Sequence, residues 1–581
     1  MSQRVDLQNR IDLSHIPFTE RGSRLLLFRQ DEELFIRLAE RWIKYENLYG
    51  PHRQRAPIID HMLLLDATDR PLHFTINSNA YSINLITGLG VYTWTFLDAE
   101  TLLLRIPPGT LAFEFDCMAE AGQTDRRGGT LDGVRNIAYT TNTRILENTV
   151  EQTSDLHFKV RLKVESDLDG ALLLNITPRL GFNRSLPNPD DALDDARLRW
   201  RQWFEAAPPV LDRYRAQYDY AWWVMRAGLM SPRFYITRET IMPSKVQYVG
   251  VWQWDQFFHA IAFRHLDARL AEDQLRILLD HQQPNGMIPD AIHDEGLITH
   301  LDYPVSADVT KPPLLAWAVL KLYEKSGHID FLQEVYEALK RSDRWWFEEN
   351  SDGRGLCVYR HPFSSGLDDN PLWDYGMPVT SPDLNTYLCI HLESLARIAS
   401  LIGEEAEAAE FQARGAELAQ RMIDVLWDEK KGVFNALHND EVIPVLTPFN
   451  VLPLWIKDLP EHISERLVAN LIDPELFWTP WPLATVSVSD SHFNPTQMWR
   501  GPTWVNINYL FIEALMRTHR IDLAAELRRK TLDMIMLHDD IYEYYNPLSG
   551  ERPPKAAPIF GWTSAVFIDL AIQETQAVLT E

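Results

Sequence analysis

Two acidic side chains of the sequence stand in settings that suit proton transfer. Asp368 follows a Ser-Ser-Gly turn, which allows the backbone to bend sharply and to project a short acid into a cleft. Glu543 lies among tyrosines at positions 542, 544 and 545, whose rings would exclude water from its carboxyl group. Because cleavage of a glycosidic bond generally uses one protonated and one ionised carboxyl group, the two residues are a candidate acid and base. Either residue alone is equally compatible with a surface or helix-capping role.

Aromatic and polar residues share the same segments of the sequence. Trp254-Asp255, Trp499-Arg500 and Tyr545-Asn546 each place a ring beside a charged or amide group. The C–H faces of a pyranose stack on Trp or Tyr, and its hydroxyl groups need carboxylates, amides and Arg. With 19 Trp and 20 Tyr in the chain, these segments predict a carbohydrate pocket, although many of the aromatic side chains would simply fill a large core.

The elements that must carry these loops divide the sequence into two parts. Between residues 11 and 180 the apolar pattern has a period of two, as in residues 111–117 and 157–165, which is typical of half-buried antiparallel strands. We therefore predict a β-sandwich over residues 1–185. A polar, proline-containing segment follows, and residues 186–215 are predicted to form a linker with a helix.

Residues 216–581 show a helical period instead. Leu315, Val319 and Leu322 share one helical face, and about a dozen such helices fit this part of the chain, separated by long loops rich in Pro, Gly, Trp and Asp. The pattern has no strand–helix alternation and no repeat of fixed length, so it favours helical hairpins closed into a toroid over a parallel α/β sheet or a solenoid. The predicted fold class is mainly α, an (α/α) toroid preceded by an antiparallel β-sandwich.

Composition excludes several classes of partner and site. The 581 residues include 56 Lys and Arg against 82 Asp and Glu, a net charge of −26, which repels nucleic acid and anionic lipid. The three cysteines, Cys117, Cys357 and Cys389, are too far apart for a disulfide framework or a Cys-rich zinc site. No signal-peptide pattern or 18-residue apolar run occurs, so we expect a cytoplasmic protein with no membrane partner. The sequence leaves homo-oligomer formation open.

Competing motifs have simpler interpretations. Residues 190–194 match the DDxxD pattern that holds magnesium in prenyl diphosphate enzymes, but no second acidic motif accompanies them, and they are interpreted as a solvated linker and a helix N-terminus. His259, next to two Phe residues, is interpreted as a core or pocket-wall residue and not as a metal ligand. No HExxH, Walker, GxGxxG or GxSxG motif has a suitable setting. We expect neither a metal nor a cofactor.

Six motifs follow one another in the C-terminal two thirds of the chain: VWQWDQFFH (251–259), PNGMIP (284–289), SGLD (365–368), WRGPTW (499–504), EYYNP (543–547) and FGWT (560–563). Their order and spacing resemble glycoside hydrolase family 63, which includes processing α-glucosidases and the bacterial mannosylglycerate and glucosylglycerate hydrolases and is related to the family 37 trehalases. The resemblance spans about residue 221 to the C-terminus and implies six helical hairpins with the active site in the loops at one end. It also implies inversion at the anomeric carbon.

The resemblance assigns roles to individual residues. By motif, Asp368 would be the general acid and Glu543 the general base, while Asp369 could exchange roles with its neighbour and Glu551 is a reserve candidate for the base. The residues that would bind the sugar are Trp254, Asp255, Asn285, Trp499, Arg500, Gly501, Tyr544 and Trp562. The N-terminal part lies outside the resemblance, and its role stays open.

The sequence therefore predicts an inverting, exo-acting hydrolase of a small α-glucoside or α-mannoside, such as a glucosylglycerate-type compound or a disaccharide. Lys311, Lys245 and Arg238 are candidates to bind an anionic aglycone, although each fits a surface or helix-end cation better. Two alternatives stay open. A glycoside phosphorylase on the same fold would need a basic cluster where Glu543 activates water, and a noncatalytic carbohydrate-binding protein would need no paired carboxylates.

Overall fold

The computed structural model describes residues 7–41 and 56–580. The chain forms two compact units. The first extends to Ala207 and also takes in residues 222–231 and 244–249, and the second comprises residues 208–221, 232–243 and the chain from Gly250 onward. At 38% helix and 24% strand, the chain is mixed and not mainly α as predicted, because the first unit adds extensive antiparallel sheet. Residues 1–6 and 42–55 of the predicted sandwich, and residue 581 of the predicted toroid, lie outside the described residues.

Fourteen described strands of the first unit, between residues 25 and 177, form two antiparallel sheets. They are β1 Leu25–Gln30, β2 Glu33–Leu38, β3 Ile59–Leu65, β4 Phe74–Ser78, β5 Ile83–Thr87, β6 Gly90–Asp98, β7 Thr101–Arg105, β8 Gly109–Met118, β9 Ala121–Asp125, β10 Gly128–Asp132, β11 Asn136–Thr141, β12 Arg144–Ser154, β13 His157–Ser166 and β14 Ala171–Thr177. One sheet has the order β1-β2-β3-β8-β13-β12, and the other has the order β4-β5-β6-β7-β14-β11-β10-β9.

Alternation of apolar and polar residues explains why these segments pair as strands. In β13 the apolar side chains at 158, 160, 162 and 164 are buried, and the basic ones between them are partly exposed. Inward rings from the two sheets touch each other, since Phe113 contacts Tyr92 edge to face and Phe115 contacts Tyr139 in the same way. The core of this unit therefore lies between its sheets. The strands predicted at residues 111–117 and 157–165 are confirmed, and they pair with each other.

Twelve α-helices lie in the described part of the chain. They are α1 Pro189–Ala206, α2 Arg215–Gly228, α3 Gln253–Phe263, α4 Ala268–Asp280, α5 Leu315–Ser326, α6 Ile329–Glu349, α7 Pro382–Ile402, α8 Glu405–Leu426, α9 Glu461–Leu471, α10 Val505–Arg517, α11 Ile521–Met536 and α12 Gly561–Thr580. The DDxxD motif lies at the start of α1, where the side chain of Asn188 caps the backbone N–H groups of Asp190 and Asp191. Its interpretation as a helix N-terminus is confirmed.

Short strands occupy the loops that connect elements from α2 onward. They are β15 Leu229–Met230, β16 Thr240–Ile241, β17 Val251–Trp252, β18 Ala291–His293, β19 Gly296–Ile298, β20 His300–Leu301, β21 Ala307–Asp308, β22 Trp427–Asp428, β23 Val433–Phe434, β24 Leu437–His438 and β25 Glu441–Val442. Single-turn 3-10 helices lie at Asp212–Tyr214, Pro362–Ser365, Pro371–Tyr375, Pro448–Asn450 and Leu452–Trp455.

Helices of the second unit pack in sequential pairs. Contacts join α3 to α4, α5 to α6, α7 to α8 and α10 to α11. The first helices of these pairs also contact one another, because α3 packs on α5 and α5 on α7, while α7 and α10 both pack on the 3-10 turn Leu452–Trp455. Helix α12 packs on both α10 and α3. The series of contacts through α3, α5, α7, this turn, α10 and α12 therefore returns to its starting point.

A buried carboxylate on α12 joins three helices of this series. The oxygens of Asp569 lie 2.9 Å from a guanidinium nitrogen of Arg264 and 2.6 Å from Nε2 of His265, and they accept hydrogen bonds from Tyr509 at 2.8 Å and Gln573 at 2.7 Å. Burial raises the pKa of Asp569, but Arg264, His265 and Tyr509 together hold it well below its usual range. This carboxylate stays ionised and is saturated with partners.

The three cysteines are free and buried. Cys117 lies in β8 of the first unit, whereas Cys357 and Cys389 belong to the second. Burial raises the pKa of each thiol, so all three are poor nucleophiles in the folded protein. Within residues 7–41 and 56–580, no helix combines the length and the apolar character needed to cross a membrane.

Candidate active site

The predicted site residues lie in the first turns of helices of the continuous contact series or in the loops that precede these helices. Trp254 and Asp255 lie in the first turn of α3, and Trp562 lies in the first turn of α12. Asp368 lies in the loop before α7, and Trp499 lies just before α10. Loops that precede neighbouring helices can meet at one end of the helical unit, and the contacts below show which of these residues do meet.

The loop of Asp368 packs directly against the ring of Trp254. Gly366, two residues before the acid, has φ of +72°, a left-handed conformation that favours glycine. A Cβ atom added at this glycine would lie 2.4 Å from the indole ring of Trp254. Glycine is therefore required twice, for the turn and for the close approach. Its contact fixes the loop of Asp368, residues 361–369, against the first turn of α3. We call this segment the acid loop.

Asp368 has the properties of a carboxyl group that holds its proton to a higher pH than an ordinary aspartate does. Its side chain is 34% exposed, and Nζ of Lys311 lies 3.8 Å from its Oδ1. This oxygen is buried and has no hydrogen-bond partner. Burial raises the pKa of Asp368 to about 6, with the charges of Asp290 and Asp369 acting in the same direction and that of Lys311 opposing them.

The neighbouring Asp369 has a different environment. One of its oxygens accepts a hydrogen bond from the backbone N–H of Trp499 at 2.8 Å, and the other accepts one from the side-chain amide of Gln497 at 3.1 Å. Asp369 thus holds the 497–499 segment beside the acid loop, and Asp368 is the carboxyl of the pair with an oxygen left unbonded.

Five aromatic residues from two loops and two helix N-termini form one cluster. Trp499 stacks on Trp504 with ring centroids 3.8 Å apart, and Trp504 contacts Tyr544 at 4.7 Å. Trp254 contacts Trp562 edge to face at 5.2 Å and Trp499 at 6.0 Å. The structure therefore brings together the four aromatic residues that the sequence predicted. Trp504 was missed as a site residue although it ends the WRGPTW motif.

Glu543 is buried next to this aromatic cluster. It is 3% exposed, its backbone N–H donates to the carbonyl of Ala557 at 2.9 Å, and its Oε2 accepts from the N–H of Ala557 at 3.1 Å. Two backbone hydrogen bonds between Thr503 and Tyr545 join its segment to the loop of Trp504. The reserve candidate, Glu551, has an exposed side chain, so the structure places Glu543 and not Glu551 beside the rings.

A buried group of charges lies near the candidate acid, Asp368, and the candidate base, Glu543. Lys311 is 4% exposed, and its Nζ lies 2.8 Å from Oδ1 of Asp290. Asp255 is buried, and burial raises its pKa well above the usual value, with Lys311 opposing this shift and Glu543 adding to it. The charges of the α3 terminus, the acid loop and the Glu543 segment therefore influence one another. Asp290 was missed by the sequence analysis, although it directly follows the PNGMIP motif.

Three predicted sugar-binding residues have local structural roles. Asn285 is exposed, and its Oδ1 accepts from the N–H of Met287 in its own turn. In the described part of the chain no hydrogen bond or ring contact joins it to the aromatic cluster. Arg500 pairs with Asp374 at 2.6 Å. Gly501 lies where an added Cβ would be 2.5 Å from the carbonyl oxygen of Asn494.

The other two candidate cations and His259 occupy different places. Lys245 is buried in the first unit, where its Nζ donates to the carbonyl of Ser23 at 2.6 Å. Arg238 binds Asp280 at 2.8 Å. The interpretation as a surface cation is wrong for both Lys245 and Lys311, because backbone oxygens or carboxylates compensate their buried charges. His259 is buried, which lowers its pKa to about 3, and among the described residues no group of three potential metal ligands was found.

Comparison with known families agrees with this arrangement of residues. The model of the mannosylglycerate hydrolase MGH1-like glycoside hydrolase domain matches residues 248–563. The chain belongs to this family. Every residue of the candidate site lies within the match, and the protein is a glycoside hydrolase of family 63, as the sequence motifs indicated.

Two relatives with assigned activities match more than half of the chain. The mannosylglycerate hydrolase of Rubrobacter radiotolerans is 24% identical over 421 residues, 58% of this chain and 94% of the relative. The glucosylglycerate hydrolase of Mycolicibacterium hassiacum is 24% identical over 414 residues, 55% of this chain and 92% of the relative.

Two solved structures show similarity of fold. The family 63 mannosylglycerate hydrolase of Thermus thermophilus in complex with glucose has a TM-score of 0.52 at 24% identity, covering 60% of this chain and 98% of its own. A bacterial glucoamylase complexed with acarbose has a TM-score of 0.61 at 12% identity, covering 96% of this chain and 93% of its own. The second likeness therefore extends into the N-terminal sheets, which the family model does not match.

Proposed function

We propose that the protein is an inverting, exo-acting α-glycosidase that hydrolyses a small α-glucoside or α-mannoside, with Asp368 as the general acid and Glu543 as the general base. We also infer that its helical unit is an (α/α)6 toroid. The contact series that returns from α12 to α3 supports a closed ring of inner elements, and the fold similarity to a bacterial glucoamylase supports it independently.

The observation that carries the proposal is the unequal bonding of two adjacent aspartates. Asp369 is committed to Trp499 and Gln497, whereas Asp368 has an unbonded oxygen and a pKa raised to about 6 by burial and by the charges of Asp290 and Asp369. A general acid must hold its proton at the working pH and release it in the transition state. Of the two residues, Asp368 meets that requirement.

The proposed reaction transfers one proton at each end of the bond. The carboxyl group of Asp368 protonates the glycosidic oxygen as the bond from that oxygen to the anomeric carbon breaks. The carboxylate of Glu543 removes a proton from water, whose oxygen bonds to the anomeric carbon from the opposite face. Afterwards Asp368 is ionised and Glu543 is protonated, and proton exchange with solvent restores both.

The aromatic cluster supports binding of a single terminal sugar beside these groups. The rings of Trp254, Trp499 and Trp562 pack on one another and are 3%, 1% and 3% exposed, so only their small exposed edges are available to the C–H face of a pyranose. Asp255, buried beside Trp254, supplies an acceptor for sugar hydroxyl groups. The named relatives act on mannosylglycerate and glucosylglycerate, which supports a small α-linked substrate.

The stereochemistry of the first product tests this proposal. Mannosylglycerate, glucosylglycerate, trehalose and the p-nitrophenyl α-glycosides of glucose and mannose would be supplied with and without inorganic phosphate. We expect hydrolysis of at least one of them without phosphate, and proton NMR should detect the β-anomer before mutarotation. Release of the α-anomer first would overturn the inverting mechanism. A sugar phosphate as product would identify a phosphorylase instead.

A further inference from the structure

The side chain of Lys311 makes an unusual set of contacts for a buried lysine. Its Nζ donates to the carbonyl oxygen of Phe363 at 2.7 Å and lies 2.8 Å from Oδ1 of Asp290. The same nitrogen lies 3.8 Å from Oδ1 of Asp368. An ammonium group has three N–H donors. The carbonyl of Phe363 uses one of them, and the carboxyl groups of Asp290 and Asp368 both lie within 4 Å of the same nitrogen.

The backbone around Lys311 is held from three directions. Its N–H donates to Oε1 of Gln253 at 3.0 Å, and the hydroxyl oxygen of Thr310 lies 2.9 Å from the same oxygen and 2.7 Å from the carbonyl oxygen of Ile288, to one of which its single O–H donates. The N–H of Thr310 donates to the hydroxyl of Ser364 in the acid loop. The ammonium group therefore cannot be displaced far without breaking buried hydrogen bonds, each of which is costly to lose.

Asp290 limits the degree to which Lys311 favours ionisation of Asp368. A single buried cation 3.8 Å from Asp368 would favour the ionised carboxylate strongly, and an ionised acid cannot protonate a leaving group. Asp290 compensates the charge of Lys311 at a shorter distance. When Asp368 loses its proton during the reaction, its new negative charge attracts the ammonium group of Lys311, which needs to move by only about 1 Å to form a hydrogen bond.

We propose that Lys311 is a positioning residue which, together with Asp290, holds the acid loop through Phe363 and controls when Asp368 releases and regains its proton. This inference rests on the proposed role of Asp368 as the general acid. It differs from a merely structural ion pair in one respect, because the two partners should act on Asp368 with opposite signs.

Other charged and titratable groups surround the pair and must stay constant in the test. Asp255 faces it from the first turn of α3, and Glu543 acts on Asp255 from the segment before α12. The acid loop itself contributes Asp369 and His361, and the charge of Lys311 reaches both Asp368 and His361. Each variant below leaves these residues unchanged.

The test compares Lys311→Met, Asp290→Asn and the double variant, each in two backgrounds, with Asp368 present and with Asp368→Asn. The difference in Tm between the two backgrounds, followed from about pH 4 to about pH 9, reports the titration of Asp368 in the folded protein without any substrate. The pH dependence of kcat with glucosylglycerate and mannosylglycerate gives the second measurement.

Opposite displacements are expected in the two single variants. Lys311→Met removes the cation that favours ionisation of Asp368. The midpoint of the Asp368 titration should therefore move to higher pH by about one unit. Asp290→Asn removes a repelling anion and leaves the charge of Lys311 uncompensated, so the midpoint should move to lower pH by about one unit. The double variant should return towards the wild type. The basic limb of the kcat profile should move in the same directions.

The inference would be overturned if the titration midpoint of Asp368 moved in the same direction in both single variants, or if it moved in neither. Lys311→Met leaves Asp290 buried without its partner, and this variant can fail to fold. In that case the difference between Asp290→Asn and the double variant measures the contribution of Lys311, and equal midpoints in those two would contradict the inference. If Asp368→Asn retains wild-type turnover, the proposed function fails; if it is inactive and the midpoints do not move, the role of Lys311 alone fails.

Discussion

Two carboxylates of the helical unit, the buried Asp569 and the partly buried Asp368, have opposite environments. Asp569 on α12 is saturated by Arg264, His265, Tyr509 and Gln573, which hold its pKa well below the usual range despite burial. Asp368 has one weak ion pair and an unbonded oxygen, and burial raises its pKa. The comparison shows that burial alone does not identify a catalytic acid. The number of partners that stabilise the charged form distinguishes a carboxylate that supports the fold from one that can transfer a proton.

The largest effect that would separate the two carboxylates is on turnover. Asp368→Asn and Glu543→Gln should each lower kcat by about 10³-fold or more, because each removes a proton-transfer group with nearly no change in volume. Glu551→Gln is the matched control and should leave kcat close to that of the wild type. Steady-state kinetics on the substrate found in the panel gives the measurement. Normal turnover by Glu543→Gln together with loss in Glu551→Gln would reverse the assignment of the base.

The second effect concerns the free energy of unfolding. Asp569→Asn should lower it by about 3 kcal/mol at neutral pH, because the variant leaves Arg264 and His265 buried without their anion. Its kcat per folded molecule should change little. Urea denaturation monitored by circular dichroism measures this loss. Full stability of Asp569→Asn would show that the saturated network does not support the fold.

A smaller effect of opposite sign is expected for Asp368→Asn. The folded-state pKa of Asp368, about 6, lies above its ordinary value of 3.8, so the ionised carboxylate opposes folding above about pH 6 and this penalty disappears below about pH 4. At about pH 8 the variant should therefore have a Tm equal to or above that of the wild type. A clear decrease in Tm under these alkaline conditions would mean that Asp368 has stabilising partners and would remove the contrast with Asp569.

The smallest expected effect is that of chelation. Proton transfer between carboxyl groups and water is sufficient for acetal hydrolysis, so prolonged dialysis against EDTA should leave kcat unchanged. Recovery of lost activity by one specific divalent ion would contradict this expectation. Dialysis of Asp569→Asn against EDTA is the control for stability. If kcat falls in this less stable variant but not in the wild type, the fold has been lost and not a metal.

Local patterns predicted much of the fold. The strands at 111–117 and 157–165 followed from alternation alone, because one face of each is buried. The helix at residues 315–322 followed from helical spacing. The overall class was judged too helical, since the prediction gave weight to the longer C-terminal part and less to the fourteen strands described between residues 25 and 177.

The sequence predicted the site residues that belong to short motifs. It did not predict those that reach the site only through tertiary contacts. The positions of Asp368 and Glu543 follow from short motifs. The pairing of Asp290 with Lys311 depends on the fold, and only the fold shows that a lysine, usually an exposed residue, is buried there. Asn285 belongs to a motif as well, but its side chain is used by its own turn.

The three buried thiols allow the unfolding of each unit to be measured by chemical labelling. A thiol-specific reagent reacts with the thiolate of an accessible cysteine, so Cys117 is modified only when the sheet unit opens, and Cys357 and Cys389 only when the helical unit opens. Mass spectrometry of the labelled peptides then separates the opening rates of the two units in a single sample of the unmodified enzyme. No engineered label or truncated fragment is needed to learn whether they unfold together.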